Sequence, residues 1–256
     1  MKPYMSEMEK SWEDEYAISF YEVDTKNEVF LPILWSFMQE TAWHHADHLK
    51  VGYLDLAENN SFWALSRLFI QMDEYPRWGD KIRIKTWLAG MGRLFALRNF
   101  SIINPKGEII GTARSAWLVL DLKSRRPQRV EPLFKRILPL LDRPAEAEEP
   151  EKIPDSVHPR EENLFKVRYS DIDMHHHVNN TKYIEWVLDR YPYEMNQTHH
   201  IHTFEINFLA ESSHGDEISV HTEPFGDSPP AFLHSVFRKG DGRELCRVRV
   251  SWKRID

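Results

Sequence analysis

The sequence predicts an α+β protein made of one unit written twice, each copy an antiparallel sheet wrapped around one long helix. Three observations carry this prediction. The first is self-similarity. Phe20-Tyr-Glu-Val-Asp24 returns as Tyr169-Ser-Asp-Ile-Asp173, and Trp78-Gly-Asp-Lys-Ile-Arg-Ile84 as His214-Gly-Asp-Glu-Ile-Ser-Val220. Gly107-Glu-Ile-Ile…Trp117 returns as Gly242-Arg-Glu-Leu…Trp252. The landmarks keep their order while the spacing between copies shortens along the chain, as expected of a duplication whose second copy has shorter connections. The second observation is helical periodicity after each first landmark. Leu34, Met38, Ala42, Ala46 and Leu49 recur at helical spacing, and Ile184, Val187, Leu188 and Tyr191 fall at i, i+3, i+4 and i+7. The third is strict alternation. Cys246, Val248, Val250 and Trp252 face one way and Arg247, Arg249 and Ser251 the other, while Phe204, Ile206 and Phe208 alternate with Glu205 and Asn207.

The strands are joined by hairpins. Asn104-Pro-Lys-Gly107 and Lys239-Gly-Asp-Gly242 hold residues suited to tight or left-handed turns. The stretch Pro139–Pro154 is rich in proline and acid and reads as an exposed linker. Residues 1–140 are therefore expected to form the first repeat, 141–160 the linker and 161–256 the second repeat.

Of the 256 residues, 41% are hydrophobic and 12% aromatic, enough for a packed core. The formal charge is −7, from 33 Lys+Arg against 40 Asp+Glu, which argues against nucleic acid as the main partner. The single cysteine, Cys246, allows no intrachain disulfide and fits a reducing compartment. No window approaches the roughly 20 apolar residues that span a bilayer, and the charged N-terminal stretch does not read as a signal peptide. The expected location is the cytoplasm. One basic run stands out against the acidic balance: Lys123, Arg125, Arg126 and Arg129. Such a run is ordinarily a solvated surface, and here it is also a candidate docking patch for an acidic protein partner.

The chemistry concentrates between Asp171 and Asp189. Two acids, three histidines and two asparagines fall within ten residues immediately before a helix, a poor choice for core packing. A strand-to-helix junction suits catalysis, because free N–H groups at a helix start stabilise negative charge developing on an oxygen.

Asp173-x-x-x-His177-Val-Asn-Asn180-x-x-Tyr183 resembles the signature of the acyl-acyl carrier protein thioesterases, a double hot-dog family. Phe62-Trp-Ala-Leu-Ser-Arg67, Tyr75-Pro-Arg-Trp-Gly-Asp80, Thr86-Trp87 and Ala116-Trp117…Arg125-Arg-Pro127 are similar to that family's first repeat. The resemblance implies two tandem hot-dog repeats, no cofactor and no metal, and acyl carrier protein as the partner that delivers the substrate. It implies catalytic roles for Asp173, His177 and a later glutamate, taken as Glu211 with Glu205 as its competitor. The family's asparagine falls at His175, which is expected to keep a catalytic role, since its imidazole keeps one donor and one acceptor and adds a titratable proton. Plant members carry a cysteine where this chain has Ser212, and Cys246 lies on the apolar face of a strand, so direct attack by water is expected.

In that scheme the backbone amides of Val178, Asn179 and Asn180 hold the thioester carbonyl. Glu211, helped by Asp173, activates water, and His177 orients the thioester or protonates the departing thiolate. The first repeat, with Asn27, Glu28 and Leu31 in place of His176, His177 and Asn180, is expected to shape the acyl channel, Phe62 and Trp63 included. A monomer or homodimer is expected. Three rivals stand beside this reading: a metal centre using His44 and His48, a hydrolase of acyl-coenzyme A, and a non-catalytic acyl-binding protein.

Overall fold

The computed structural model describes residues 9–130, 134, 135, 137, 150–154, 161–226 and 230–255. The first repeat runs β1 (Ser11–Ala17), α1 (Leu31–His48), α2 (Tyr53–Ala57), β2 (Ser61–Met72), β3 (Lys81–Met91), β4 (Phe95–Ile103) and β5 (Ile109–Asp121). The second repeats that order with β6 (Glu161–Lys166), α3 (Asn180–Leu188), α4 (Tyr193–Thr198), β7 (His199–Phe208), β8 (Glu217–Pro224), β9 (Ala231–Arg238) and β10 (Arg243–Arg254). A 3-10 turn precedes the first helix of each copy, at Phe20–Glu22 and at Tyr169–Asp171. Gly107 and Gly242 adopt positive φ, 87° and 67°, in the two predicted hairpins, conformations that a side chain disfavours.

The two sheets are not separate. Strands pair antiparallel in one ten-stranded order, β1-β3-β4-β5-β2-β7-β10-β9-β8-β6. The seam is β2 on β7, in register from Arg67↔Asn207 to Gln71↔Thr203. Helices α1 and α3 pack against each other. One apolar core runs through both copies: Leu34, Trp35 and Met38 of α1, Ile184 and Val187 of α3, and Leu68, Phe204, Ile206 and Val248 of the sheet. The alternation read from β10 holds, with Cys246, Val248, Val250 and Trp252 all buried. Burial also pushes the Cys246 thiol up, away from the thiolate that a nucleophile requires.

Two expectations need correction. The helix of the second copy is short. It ends at Leu188 with Asp189 as its cap, whereas α1 spans 18 residues. Tyr191 therefore lies beyond the helix. It precedes Pro192, whose ring disfavours helical geometry in the residue before it. Tyr191 is buried nonetheless, packing on Trp252 and bonding His234 Nε2 at 2.7 Å. Its place in the apolar pattern records burial rather than helix.

The second correction concerns the linker, of which residues 138–149 and 155–160 lie outside the described residues. Its described part is not a solvated tether. Ile153 is buried, the Ile153 amide donates to Asn207 Oδ1 at 2.8 Å, and Arg67 and Arg247 donate to the carbonyls of Pro150 and Ile153. Residues 150–154 thus lie against the seam strands, tied there by side chains of β2, β7 and β10.

The shared core makes a stability prediction. Leu68 and Ile206 face each other across the seam and are fully buried. Ile206→Ala is expected to cost roughly 2–5 kcal/mol. Denaturant unfolding is expected to remain a single transition, because the largest apolar cluster is shared by both copies.

Candidate active site

The histidine-rich segment folds into a closed loop. A bridge between Ile172 and Val178 seals its neck. Inside it, the Asp173 amide donates to the His177 carbonyl at 2.9 Å, and the His176 amide to the Asp173 carbonyl at 3.1 Å. His176 takes a positive φ of 63° at the apex. The Asp173 carboxylate accepts the His175 amide at 2.8 Å, an Asx turn that shapes the loop from within.

The first copy has the same loop with other chemistry. Val23 bridges Val29, the Asp24 amide meets the Glu28 carbonyl, Asn27 has φ 63°, and Asp24 Oδ1 accepts the Lys26 amide at 2.8 Å. Glu28 thus stands where the second copy has His177, and Lys26 where it has His175. The shared geometry gives Asp24 and Asp173 a common architectural task. Asp173 makes no hydrogen bond or ion pair with the side chains of His177 or Glu211 among the described residues.

His177 does meet Glu211. Its Nε2 lies 3.6 Å from the Glu211 carboxylate and 3.1 Å from Arg125 Nη2, while Nδ1 is buried without a partner among the described residues. Arg125 also donates to Glu211, and its guanidinium stacks on Phe62 at 4.6 Å. Glu211 and Arg125 side chains are 47% and 39% exposed, so the stabilisation from their pairing is small, about 0–1 kcal/mol. What the contact fixes is geometry. The Glu211 carbonyl accepts from Arg238 at 3.1 Å, and Arg238 is held by Asp241, whose carboxyl the guanidinium hydrogen bond pulls down to about 2.

The competitor Glu205 is elsewhere. It pairs with Arg249 at 2.7 Å, and burial pushes its carboxyl up. Ser212 is fully buried and its hydroxyl donates to Asp216 at 2.9 Å, a loop contact rather than the bond to a histidine base that would generate an alkoxide. His44 and His48 do not converge either. His44 pairs with Asp14 at 2.7 Å, and His48 accepts from the Glu9 amide.

Several expected roles change. The amide of Val178 donates to the Ser212 carbonyl and that of Asn179 to the Asp171 carbonyl, each at 2.9 Å. The Asn179 side chain caps α3 by accepting the Thr181 amide, and the Lys182 amide binds the Asn179 carbonyl. These amides are therefore committed and do not form the expected carbonyl cradle. The Asn180 side chain is a strut between helices, accepting from Trp35 Nε1 and donating to Gln39, each at 2.8 Å. The His175 ring packs on Tyr53 of α2, with centroids 5.2 Å apart.

Phe62 and Trp63, adjacent on β2, take opposite faces. Phe62 supports Arg125, whereas Trp63 packs against Trp117 and Phe134 and donates to the Val51 carbonyl. The basic run divides as well. Lys123, Arg126 and Arg129 are exposed, and Arg125 turns into the site. Sequence reasoning missed this partnership, and no local signal announces it.

Fold and site together define a double hot-dog thioesterase. The model for the acyl-ACP thioesterase N-terminal domain matches residues 9–138, and that for the C-terminal domain residues 155–254; the chain belongs to the acyl-ACP thioesterase family. An acyl-ACP thioesterase from Bacteroides thetaiotaomicron superposes with a TM-score of 0.85 at 32% identity, covering 95% of this chain and 98% of that one. The 12:0-ACP thioesterase from Umbellularia californica shares the fold, with a TM-score of 0.83 at 24% identity over 98% and 97% of the two chains. The chloroplastic oleoyl-acyl carrier protein thioesterase 1 of Arabidopsis thaliana is 26% identical over 95% of this chain and 76% of its own length.

The Ser212 geometry yields a test. Ser212→Ala is expected to retain hydrolysis within a few-fold and to lose about 1 kcal/mol of stability with the Asp216 contact. Loss of activity in a folded variant would restore a serine nucleophile.

Proposed function

We infer that this chain hydrolyses the thioester of a fatty acyl-acyl carrier protein, releasing the free fatty acid and ending chain elongation. The observation that carries the reading is the approach of Glu211, from the segment after β7, to His177 of the Asp173-x-x-x-His177-Val-Asn-Asn180 loop. Glu211 positions water and takes its proton as the oxygen attacks the carbonyl carbon. The carbon–sulfur bond then breaks, and His177 orients the thioester and passes the proton that Glu211 took from water to the leaving thiolate. With the neighbouring amides committed, the carbonyl oxygen falls to the Asn180 amide and to the positive end of α3. Asp173 shapes the loop, and His175 lies at its rim. Trp63, Trp117 and the α1 side of the first repeat receive the acyl chain.

Both repeats contribute to the site within one chain, so a monomer suffices. Lys123, Arg126 and Arg129 face the acidic carrier on an otherwise acidic enzyme. The same reading puts the enzyme in the cytoplasm with its carrier, in accord with a lone buried thiol.

Side-by-side kinetics on one acyl chain carried by acyl carrier protein and by coenzyme A test this function. The carrier-protein thioester is expected to be the better substrate, and Glu211→Gln and His177→Ala are each expected to lower kcat by roughly 10²–10⁴-fold. Preference for coenzyme A would reassign the carrier. Absence of free fatty acid from both substrates would leave an acyl-binding protein. Arg126→Glu is expected to raise KM for the carrier-protein substrate and to leave small thioesters unchanged; equal effects on both would remove the docking role.

A further inference from the structure

We propose that Arg125, supplied by the first repeat, is a positioning residue of the active centre: it holds Glu211 and His177 in their working relation and is not part of the docking patch its sequence neighbours form. The proposal rests on the hydrolytic reading of His177 and Glu211.

The first support is the convergence of contacts on one guanidinium. Nη2 donates to Glu211 Oε2 and approaches His177 Nε2 at 3.1 Å, while the planar group lies 4.6 Å above Phe62. Stacking on a ring limits the orientations of the fork, and a planar donor set then directs its two partners toward one point. Lysine, a point charge on a flexible stem, fixes neither angle.

The second support is the backbone beneath it. Arg125 has a positive φ of 57°, uncommon for a residue with a long side chain. Its turn is held closed by Asp121. The Asp121 carboxylate accepts the amides of Lys123 and Ser124, the Ser124 hydroxyl and the Asn60 side chain. The Arg125 amide binds the Asp121 carbonyl at 2.9 Å, and the Asp121 amide binds that of Arg126 at 3.0 Å. Burial of a core does not require this conformation, since the tip of the turn is exposed. Strained backbone of this kind persists where a surrounding network over-determines it.

The third support comes from the first copy. There the cation is local. Lys26 Nζ lies 3.1 Å from Asp24 and 3.6 Å from Glu28, and it donates to the carbonyls of Asn196 and His199 on the other repeat. Tyr75 takes the place of Glu211 and spends its hydroxyl on the Ile201 carbonyl. Each loop thus has one cation spanning the two repeats; Lys26 reaches Glu28, whose other oxygen lies 4.0 Å from His200 Nδ1, whereas Arg125 contacts both the Glu211 carboxylate and the His177 ring directly.

Glu211 and His177 come from separate segments of the second repeat and have no direct hydrogen bond to each other, their nearest ion-pair atoms standing 3.6 Å apart. Arg125 bridges that gap. Without it the carboxylate, 47% exposed, is free to rotate into solvent.

Purified full-length Arg125→Ala and Arg125→Lys, with the unaltered chain beside them, decide the matter on an acyl-carrier-protein thioester and a small acyl thioester. Arg125→Ala is expected to lose roughly 10²-fold in kcat on both substrates, with KM little changed. Millimolar ethylguanidinium added to Arg125→Ala is expected to restore part of kcat, an effect that a structural role alone would not show. Arg125→Lys is expected to fall between the two and carries the kcat-against-KM test if the alanine variant does not fold. Unchanged kcat in either folded variant, or a rise in KM confined to the carrier-protein substrate, would overturn the proposal. Inactivity of the unaltered chain on both thioesters would overturn the hydrolytic reading itself, and this proposal with it.

Discussion

The pairing of β2 with β7 is the constraint on which the rest of the structure depends. Five residues of each strand, Arg67–Gln71 and Thr203–Asn207, join two half-sheets into one. Without that seam each copy would expose a strand edge, with unpaired amides and carbonyls open to other chains. With it, the apolar faces under α1 and α3 merge into a single core. The seam also sets the site. It places the start of β2 and the end of β5, with Phe62 and Arg125, beside the loop that carries His177. The strap of residues 150–154 lies across the same strands, so the connection between copies reinforces the contact that defines them.

The copies have diverged at side chains while keeping the backbone. Asp24 and Asp173 accept the amide two residues on at the same 2.8 Å, and the apex residues Asn27 and His176 share the same φ. An aspartate retained in that geometry by the copy that lacks the histidine is doing loop work in both. Chemistry separates at the next positions: Glu28 against His177 and Tyr75 against Glu211. Burial pushes the Glu28 carboxyl up, and Lys26 beside it counters the shift. Through Lys26 the first loop ties its own copy to α4 and β7.

A second matched pair lies deeper. Thr86, Arg98 and His45 cluster in the first copy, with Arg98 Nη1 2.9 Å from His45 and 3.1 Å from Thr86. Thr222, His234 and Tyr191 occupy the corresponding place in the second, with His234 3.0 Å from Thr222. Burial lowers Arg98 to about 9 and His45 to about 4, so the arginine keeps its charge at neutral pH and the histidine remains a neutral acceptor. In the second copy burial takes His234 to about 3, leaving a wholly neutral cluster. Each cluster satisfies polar groups that would cost several kcal/mol if buried alone. The duplication preserved where polarity sits under the helix, with a buried charge in the first copy and none in the second cluster.

How much of this was legible follows from the range of each interaction. The strands of β10 and β7 could be read because a period of two is imposed locally by one buried face. The loop at Asp173 could be found because its polar residues are contiguous. The length of α3 was misread because Tyr191 is buried by a turn that brings it back onto Trp252, and a periodic pattern does not distinguish that from a continuing helix. Glu211 and Glu205 could be separated only by register: once Glu205 lies opposite Arg249 across β7 and β10, it has a partner and Glu211 is left for the site. Arg125 is the extreme case. It lies 86 residues from Glu211, inside a basic run whose other members face solvent. Nothing within the hairpin encodes its partner, because the contact exists only after β2 has paired with β7. In a duplicated protein the halves are legible one by one, while a site shared between them depends on a register that neither half specifies alone.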